Sequence, residues 1–364
     1  MNLWQRPWKK WLLDSDNCKN GLKSAISLIG RSIILAAALG LALVVGETRI
    51  PFETTWNVFK LAAGFAAPEV NAVDYGILWS YRLPRAIIAM ACGASLAISG
   101  VVLQALLRNP LADPYILGLS AGASTGAVAV AILGFGAGTL SLSGGAFIGA
   151  LMAFGFVALL ARLAQGNGAG ATSSLALLLA GVAGAQLFHA LTALIIAKSA
   201  DANQARGIMF WMMGNLSGSR WPDVYLAVPI AVFGSIIIYA HSRALDAMTF
   251  GREAAQSMGI RTNLVMTILI STTALLTAVM VSMTGAIGFV GLVVPHAVRF
   301  LTGTRHLLLI PATALAGGVF LIVADIIARI LISGQSLPIG VVTALVGAPA
   351  FAIILVRSSR AHSG

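Results

Sequence analysis

Charge is what this sequence has least of. Only 10% of its 364 residues are Asp, Glu, Lys or Arg, against roughly 25% in a soluble globular chain. With 58% hydrophobic residues and a mean hydropathy of +0.91, a soluble domain is excluded and a polytopic membrane protein remains. Cysteine is nearly missing. Cys18 lies in a basic N-terminal stretch and Cys92 in an apolar segment, so neither a disulfide framework nor metal-ligand spacing can be built. The 12 acids are outnumbered by 23 bases. Those bases stand at the ends of apolar segments rather than on one face, which reads as positive-inside topology and not as nucleic-acid binding. None of the six lysines (9, 10, 19, 23, 60 and 198) follows a glycine. A phosphate-cradling Gly-Lys-Ser/Thr loop is therefore absent, and ATP hydrolysis within this chain is excluded. Asp325 is the one acid well inside an apolar span. With Arg329 four residues on, it reads as an intrahelical pair, which is thin equipment for an ion-coupled carrier.

What is present is a series of apolar runs of about 20 residues. They lie near 25–46, 79–105, 114–134, 144–165, 174–197, 223–241, 262–283, 288–302, 307–332 and 338–357. The eighth is short and holds Pro295, His296 and Arg299. The first is too long for a signal-peptide core and is retained as a span. An all-α polytopic membrane protein of about ten transmembrane helices follows, with both termini on one side. Residues 1–24 form a cytoplasmic segment, 25–357 a single transmembrane domain and 358–364 a cytoplasmic tail. Arg108, Arg162, Arg243, Arg252, Arg261 and Arg305 then fall on the inner side, together with the basic termini. Arg82, Arg85 and Arg329 face outward against that trend.

Two connections stand out. In "RNPLADPYILGLSAGAS" (108–124), Asp113 is placed to cap a helix that has Pro114 in its first turn. Gly118, Gly122 and Gly126 then lie four apart, so that another helix can approach closely where lipid gives no hydrophobic drive. The inner loop 242–261 contains "GREAAQSMG". Glu253–Met258 are good helix formers, and Gly259 can end that helix in a left-handed cap. Such a short helix, with Met258 and alanines on one side, can sit in a partner's groove.

Taken together, "YRLPRAIIAMACGASLAISGVVLQALLRNPLADPYILGLSAGAS" (81–124), "LLLAGVA" (177–183), "FWMMGNLSG" (210–218), "GREAAQSMGI" (251–260), "TGAIGFVGLVVPHAVRFLTGTRH" (284–306), "ADIIAR" (324–329) and "LPIGVVTALVGAPAFAIILV" (337–356) resemble the FecCD family. These are permeases of type II ABC importers for iron chelates, haem and vitamin B12. The blocks run in family order from about residue 80 to 357, while residues 1–78 match only as a generic first span and outer loop. The resemblance implies a vitamin B12 permease-like fold in the bacterial inner membrane. It implies a homodimer with two ATP-binding subunits that hold ATP and magnesium, fed by a periplasmic binding protein, with no cofactor or metal in this chain.

It also implies roles. Arg252, Glu253, Ala254, Ala255, Met258 and Gly259 match the loop that couples to the ATPase. Arg82, Arg85 and Arg329 match the arginines that receive acidic residues of the binding protein; interfacial anchoring beside Trp79 and Tyr81 is the plainer alternative for the first two. Asn109 and Leu111 match a gate at the cytoplasmic mouth. Thr172, Ser173 and Ser174 match a second constriction, with helix capping as the alternative. Gln104, Gln186, His189 and Met280, with Ser120, Ser124, Thr192 and Met283, are expected to line a wide, weakly polar pathway suited to a large chelate. Ferric siderophore is the first expectation, haem follows, and cobalamin is the runner-up. An ion-coupled secondary transporter and an ATP-driven exporter are the readings from other classes.

Overall fold

In the computed structural model the described residues are 15–46, 48, 50–65, 70–136, 138–164, 174–199, 201–332 and 335–362. They form helices joined by short turns, with no strand among them. Six helices are long and apolar enough to cross a membrane, and four further apolar helices are shorter. Each expected span falls on one of these. In chain order, α1 is Ser15–Val44, α2 Phe52–Ala62, α3 Ala72–Leu106, α4 Leu119–Leu133 and α5 Leu142–Leu163. Then come α6 (Ser174–Ser199), α7 (Ala202–Met212), α8 (Trp221–Ala240), α9 (Ser242–Thr249) and α10 (Arg252–Ser257). The series closes with α11 (Thr262–Thr284), α12 (Val290–Thr302), α13 (His306–Ile330) and α14 (Ile339–His362). Helices α2 and α7 lie in stretches that the hydropathy pattern reads only as outer loops.

The core is built around α3. Its most apolar window is 83% buried, against 28% for the corresponding windows of α6 and α8, so α3 is the axis and the other two are outer walls. Helices α8, α11, α12 and α13 pack around α3, and α4, α5 and α6 form a second group. The start of α3 departs from regular geometry, with Gly76–Arg82 wound as a π-helix just before Leu83-Pro84. Pro84 has no N–H to give to the preceding turn, and a widened turn absorbs that loss.

Small residues set the helix spacing. A Cβ on Gly100 would stand 1.9 Å from the Gly291 carbonyl oxygen, and one on Gly93 would stand 2.1 Å from that of Gly317. Gly122 and Gly126 meet Gly149 and Gly145 of α5 in the same way, as their four-residue spacing predicts. Gly118 also faces α5, where a Cβ would stand 3.2 Å from Val157 and 3.8 Å from Ala153, but from outside α4. The chain forms a separate 3-10 turn at Pro114–Leu117, and Gly118 (φ +75°) reverses direction before α4 begins. Gly100→Ala is expected to force α3 and α12 apart at a cost of about 1–3 kcal/mol, the usual range for overpacking. Gly155→Ala, which meets nothing within 4 Å, should not. A thermal-unfolding comparison in detergent measures the difference, and equal midpoints would remove the close-packing account.

Candidate functional site

The hairpin after α3 is a set of local hydrogen bonds around one strained residue. Arg108 adopts φ +50°, a left-handed conformation uncommon outside glycine and asparagine. The turn then closes through Asn109 N–H to the Gln104 carbonyl (3.2 Å) and Ala112 N–H to the Asn109 carbonyl (3.1 Å). Asn109 Oδ1 accepts from Leu111 N–H at 2.9 Å, an Asx turn that holds the tip in shape. The amide carbonyl is thus occupied within the turn, while the Leu111 side chain stands out, 47% exposed. Asp113 Oδ1 accepts from Tyr115 N–H at 2.9 Å, as its capping position predicts. Desolvation pushes Asp113 up to about 6, and the Tyr115 N–H opposes that shift.

Tyr115 has a role that sequence reasoning missed. Its hydroxyl accepts from Ile287 N–H (2.8 Å) and donates to the Ile287 carbonyl (3.0 Å). Residues 285–289 are the unwound break between α11 and α12, where backbone groups have no helical partner and must find one elsewhere. Phe289 sits at φ +69° there, and a Cβ on Gly285 (φ +70°) would stand 2.1 Å from the Trp211 carbonyl oxygen. The one signal available was the short, interrupted eighth span.

The loop 242–261 folds as two short helices, α9 and α10. Gly259 closes α10 at φ +82°, with its N–H on the Gln256 carbonyl at 2.9 Å. The helix and its glycine stop therefore fall where composition places them. Ala255 is fully buried and anchors the loop. Ala254 and Arg252 are half-buried, while Glu253, Gly259, Phe250 and Met258 are exposed. The hairpin and this loop lie side by side, with Arg108 and Pro110 of the one and Thr249 and Phe250 of the other lining a single cavity.

At the opposite end the structure corrects an expectation. Arg82, Arg85 and Arg329 are 3%, 2% and 4% exposed, and their donors are directed into the chain. Arg82 reaches the carbonyls of Leu43 (2.6 Å), Val44 (3.0 Å) and Thr48, closing α1 onto α3. Asp325 lies between the other two, 2.8 Å from Arg85 Nη2 and 3.1 Å from Arg329 Nε. Arg85 also donates to Tyr81 Oη (2.6 Å), Ser217 Oγ (3.1 Å) and Ser336 Oγ (3.2 Å), and Arg329 to the Ala42 carbonyl (3.1 Å). The expected Asp325–Arg329 pair is present, but a third partner from α3 joins it. Burying charges is costly unless they are paired, which is why each of these inward-turned arginines is met by a carboxylate or backbone carbonyls. Arg220 is an exposed arginine at this end, lying over the Tyr81 ring at 5.5 Å.

The expected pathway residues divide. Gln104 is buried, donates to the Gly291 carbonyl at 3.2 Å and accepts from Arg299 at 2.5 Å. Met280 is fully buried. Both belong to the packing around α3, because the Gly100–Gly291 contact draws α12 over that face. Gln186 and His189 are exposed on α6, which crosses the hairpin where Gly181 meets the Ile116 carbonyl. Ser124 donates to the Ser120 carbonyl, and Thr192 shares a 2.8 Å hydrogen bond with Thr125. Thr172 and Ser173 lie outside the described residues. Ser174 begins α6, and its side chain lies outside them too.

A bundle of apolar helices, six of them among the described residues long enough to cross a membrane, defines a polytopic membrane protein. The FecCD transport family model matches residues 34–357, and the chain belongs to that family. It is similar to a cobalamin import system permease of Halobacterium salinarum, 39% identical over 338 residues, or 89% of this chain and 88% of that one. A vitamin B12 import system permease of Salmonella typhi is 39% identical over 291 residues, covering 78% and 84%. Among solved structures, a metal-chelate type ABC transporter in an inward-facing conformation matches with a TM-score of 0.77 at 29% identity. That match covers 92% of this chain and 99% of the other. The chain is an ABC importer permease of the FecCD type.

Proposed function

We propose that the chain is the membrane half of a binding-protein-dependent importer in the bacterial inner membrane, with both termini in the cytoplasm. Two copies pair, and two separate subunits bind ATP with magnesium and dock on α9–α10. A periplasmic binding protein docks at the end that carries Arg220 and, beneath the surface, the Arg85–Asp325–Arg329 cluster. The adjacency of the hairpin and the docking loop, with Arg108, Thr249 and Phe250 on one cavity wall, carries this reading, because a movement of the loop would be felt at the hairpin. The exposed Phe250 and Met258, at 75% and 63%, are apolar side chains suited to a partner's groove.

The cargo is a large metal chelate. Cobalamin is the first reading, supported by the two permeases named above for it. A ferric chelate or haem is the second, supported by the metal-chelate type transporter of the same fold. Proteoliposomes holding the chain with its ATPase and binding protein should take up one of labelled cobalamin, ferric siderophore or haem, and only with ATP. Glu253→Lys reverses a charge on the exposed face of α10. Gly259→Leu places a side chain at φ +82°, which only glycine adopts freely. Both should lower uptake at least about tenfold, a loss of 1.4 kcal/mol or more in effective coupling, while ATP hydrolysis continues. Unchanged uptake in both would make the loop a plain connector, and uptake without an ATPase would point to an ion-coupled carrier.

A further inference from the structure

A cavity of about 610 Å³ opens beside the hairpin, between the end of α3, the α9–α10 turn and the turn from α12 to α13. Its wall includes Arg108, Arg299, Arg305, His306, Asp246 and Phe250; the hairpin and docking loop meet across it, while Arg299, Arg305, His306 and Asp246 have no part in the docking. Three guanidinium groups therefore face one carboxylate, and that carboxylate is already engaged. Asp246 Oδ1 accepts from the His306 backbone N–H at 2.9 Å and lies 2.7 Å from His306 Nδ1. Arg299 is held by a neutral partner, the Gln104 side-chain oxygen, at 2.5 Å. Among the described residues, Arg108 and Arg305 form no ion pair with a carboxylate.

The second observation is His306 itself. Its side chain is 3% exposed, it lines this cavity, and its Nε2 is buried with no hydrogen-bond partner. A buried polar atom in that state is uncommon and marks a missing partner. Because Nδ1 is turned to a carboxylate, Nε2 is the atom left for a ligand.

We propose that this cavity binds a phosphate group, either free in solution or on an anionic lipid headgroup. Arginine forks match the paired oxygens of phosphate. His306 Nε2 donates to a phosphate oxygen when the ring is charged; when it is neutral it can accept only from the P–OH of inorganic phosphate, which a phosphodiester headgroup lacks. The bound anion joins Arg108 of the hairpin to Arg305 beyond α12, beside Thr249 and Phe250 of the coupling loop. It therefore clamps the hairpin to the turn between α12 and α13. The binding holds for the chain whatever it carries, and so stands apart from the choice of cargo.

The test uses the full-length chain, alone and with its ATPase subunits, in detergent at low salt, where screening is weak. Inorganic phosphate is titrated by calorimetry. In parallel, nanodiscs of phosphatidylcholine with or without phosphatidylglycerol are examined by native mass spectrometry for retained lipid. Two variants are compared. Arg305→Gln removes an exposed charge without touching the packing, and His306→Asn keeps an N–H toward Asp246 while removing Nε2. The wild type should bind one phosphate or retain phosphatidylglycerol, and each variant should weaken this by at least about tenfold, the effect of losing one charge-assisted bond. Phosphate binding without lipid retention identifies the free anion, and the reverse identifies the headgroup. Ligand should also slow hydrogen exchange in both 107–113 and 303–307. Failure of both probes to bind, equal binding in both variants, or binding only with the ATPase present would overturn the site. Protection confined to one of the two segments would overturn the clamp.

Discussion

Asp325→Ala is expected to destabilise the chain by about 3–5 kcal/mol, the usual result of breaking a buried ion pair from one side. The substitution leaves two guanidinium groups within reach of the same vacated carboxylate, both nearly fully buried. The hydrogen bonds to Tyr81, Ser217, Ser336 and Ala42 are to neutral groups and do not replace the carboxylate. The same cluster ties α3 to α13 and to the segments at 217 and 336, so its loss should loosen that whole end of the bundle. Thermal unfolding in detergent is the measurement. Arg85→Met alone should also be severe, while the double variant with Asp325→Leu should cost less than the sum, because the Arg85–Asp325 interaction they share is lost only once. Arg220→Ala, on an exposed residue, is the control. An Asp325→Ala midpoint equal to wild type would mean that the cluster is solvated in the assembled protein. The buried position also changes how a docking experiment reads: a weaker complex after Arg85→Ala reports a damaged surface, not a lost contact across the interface.

The spans were legible because a membrane asks only for length and apolarity, and the sequence supplies both with few charges. The glycine contacts between α4 and α5 were legible from spacing. So was the end of α10 at Gly259, because left-handed caps favour a single residue type. The inward turn of Arg82, Arg85 and Arg329 was not legible. Their partners are carbonyls at positions 42–44 and hydroxyls at 217 and 336, distant in sequence, and hydropathy carries no information on which way a side chain at a span's end points. Gln104 and Met280 were misplaced for a related reason. A polar or flexible residue in an apolar run reads as pathway lining, but α3 is buried on nearly every side and its polar groups bond to neighbouring helices instead. Tyr115 was hidden because its partner is the backbone of an unwound break, which leaves only a weak trace in composition.

The hairpin separates two roles that its sequence runs together. Asn109 holds the turn through its bond to Leu111 N–H, so Asn109→Ala should cost roughly 1 kcal/mol of local stability, as for the loss of one such side-chain hydrogen bond. Leu111 makes no such contribution, because its side chain is 47% exposed in the single chain. Leu111→Ala should therefore leave unfolding unchanged. If the leucine tips of two paired copies close the pathway, the same change removes an apolar plug from each half. Proteoliposomes with the assembled transporter should then release a small trapped dye without ATP, at a rate well above wild type. Asn109→Asp, which keeps an oxygen for the Leu111 N–H, should stay sealed. The Leu111→Ala vesicle carries the decisive result: a tight vesicle with a correctly assembled complex would move the seal away from the hairpin, toward the start of α6 at Ser174.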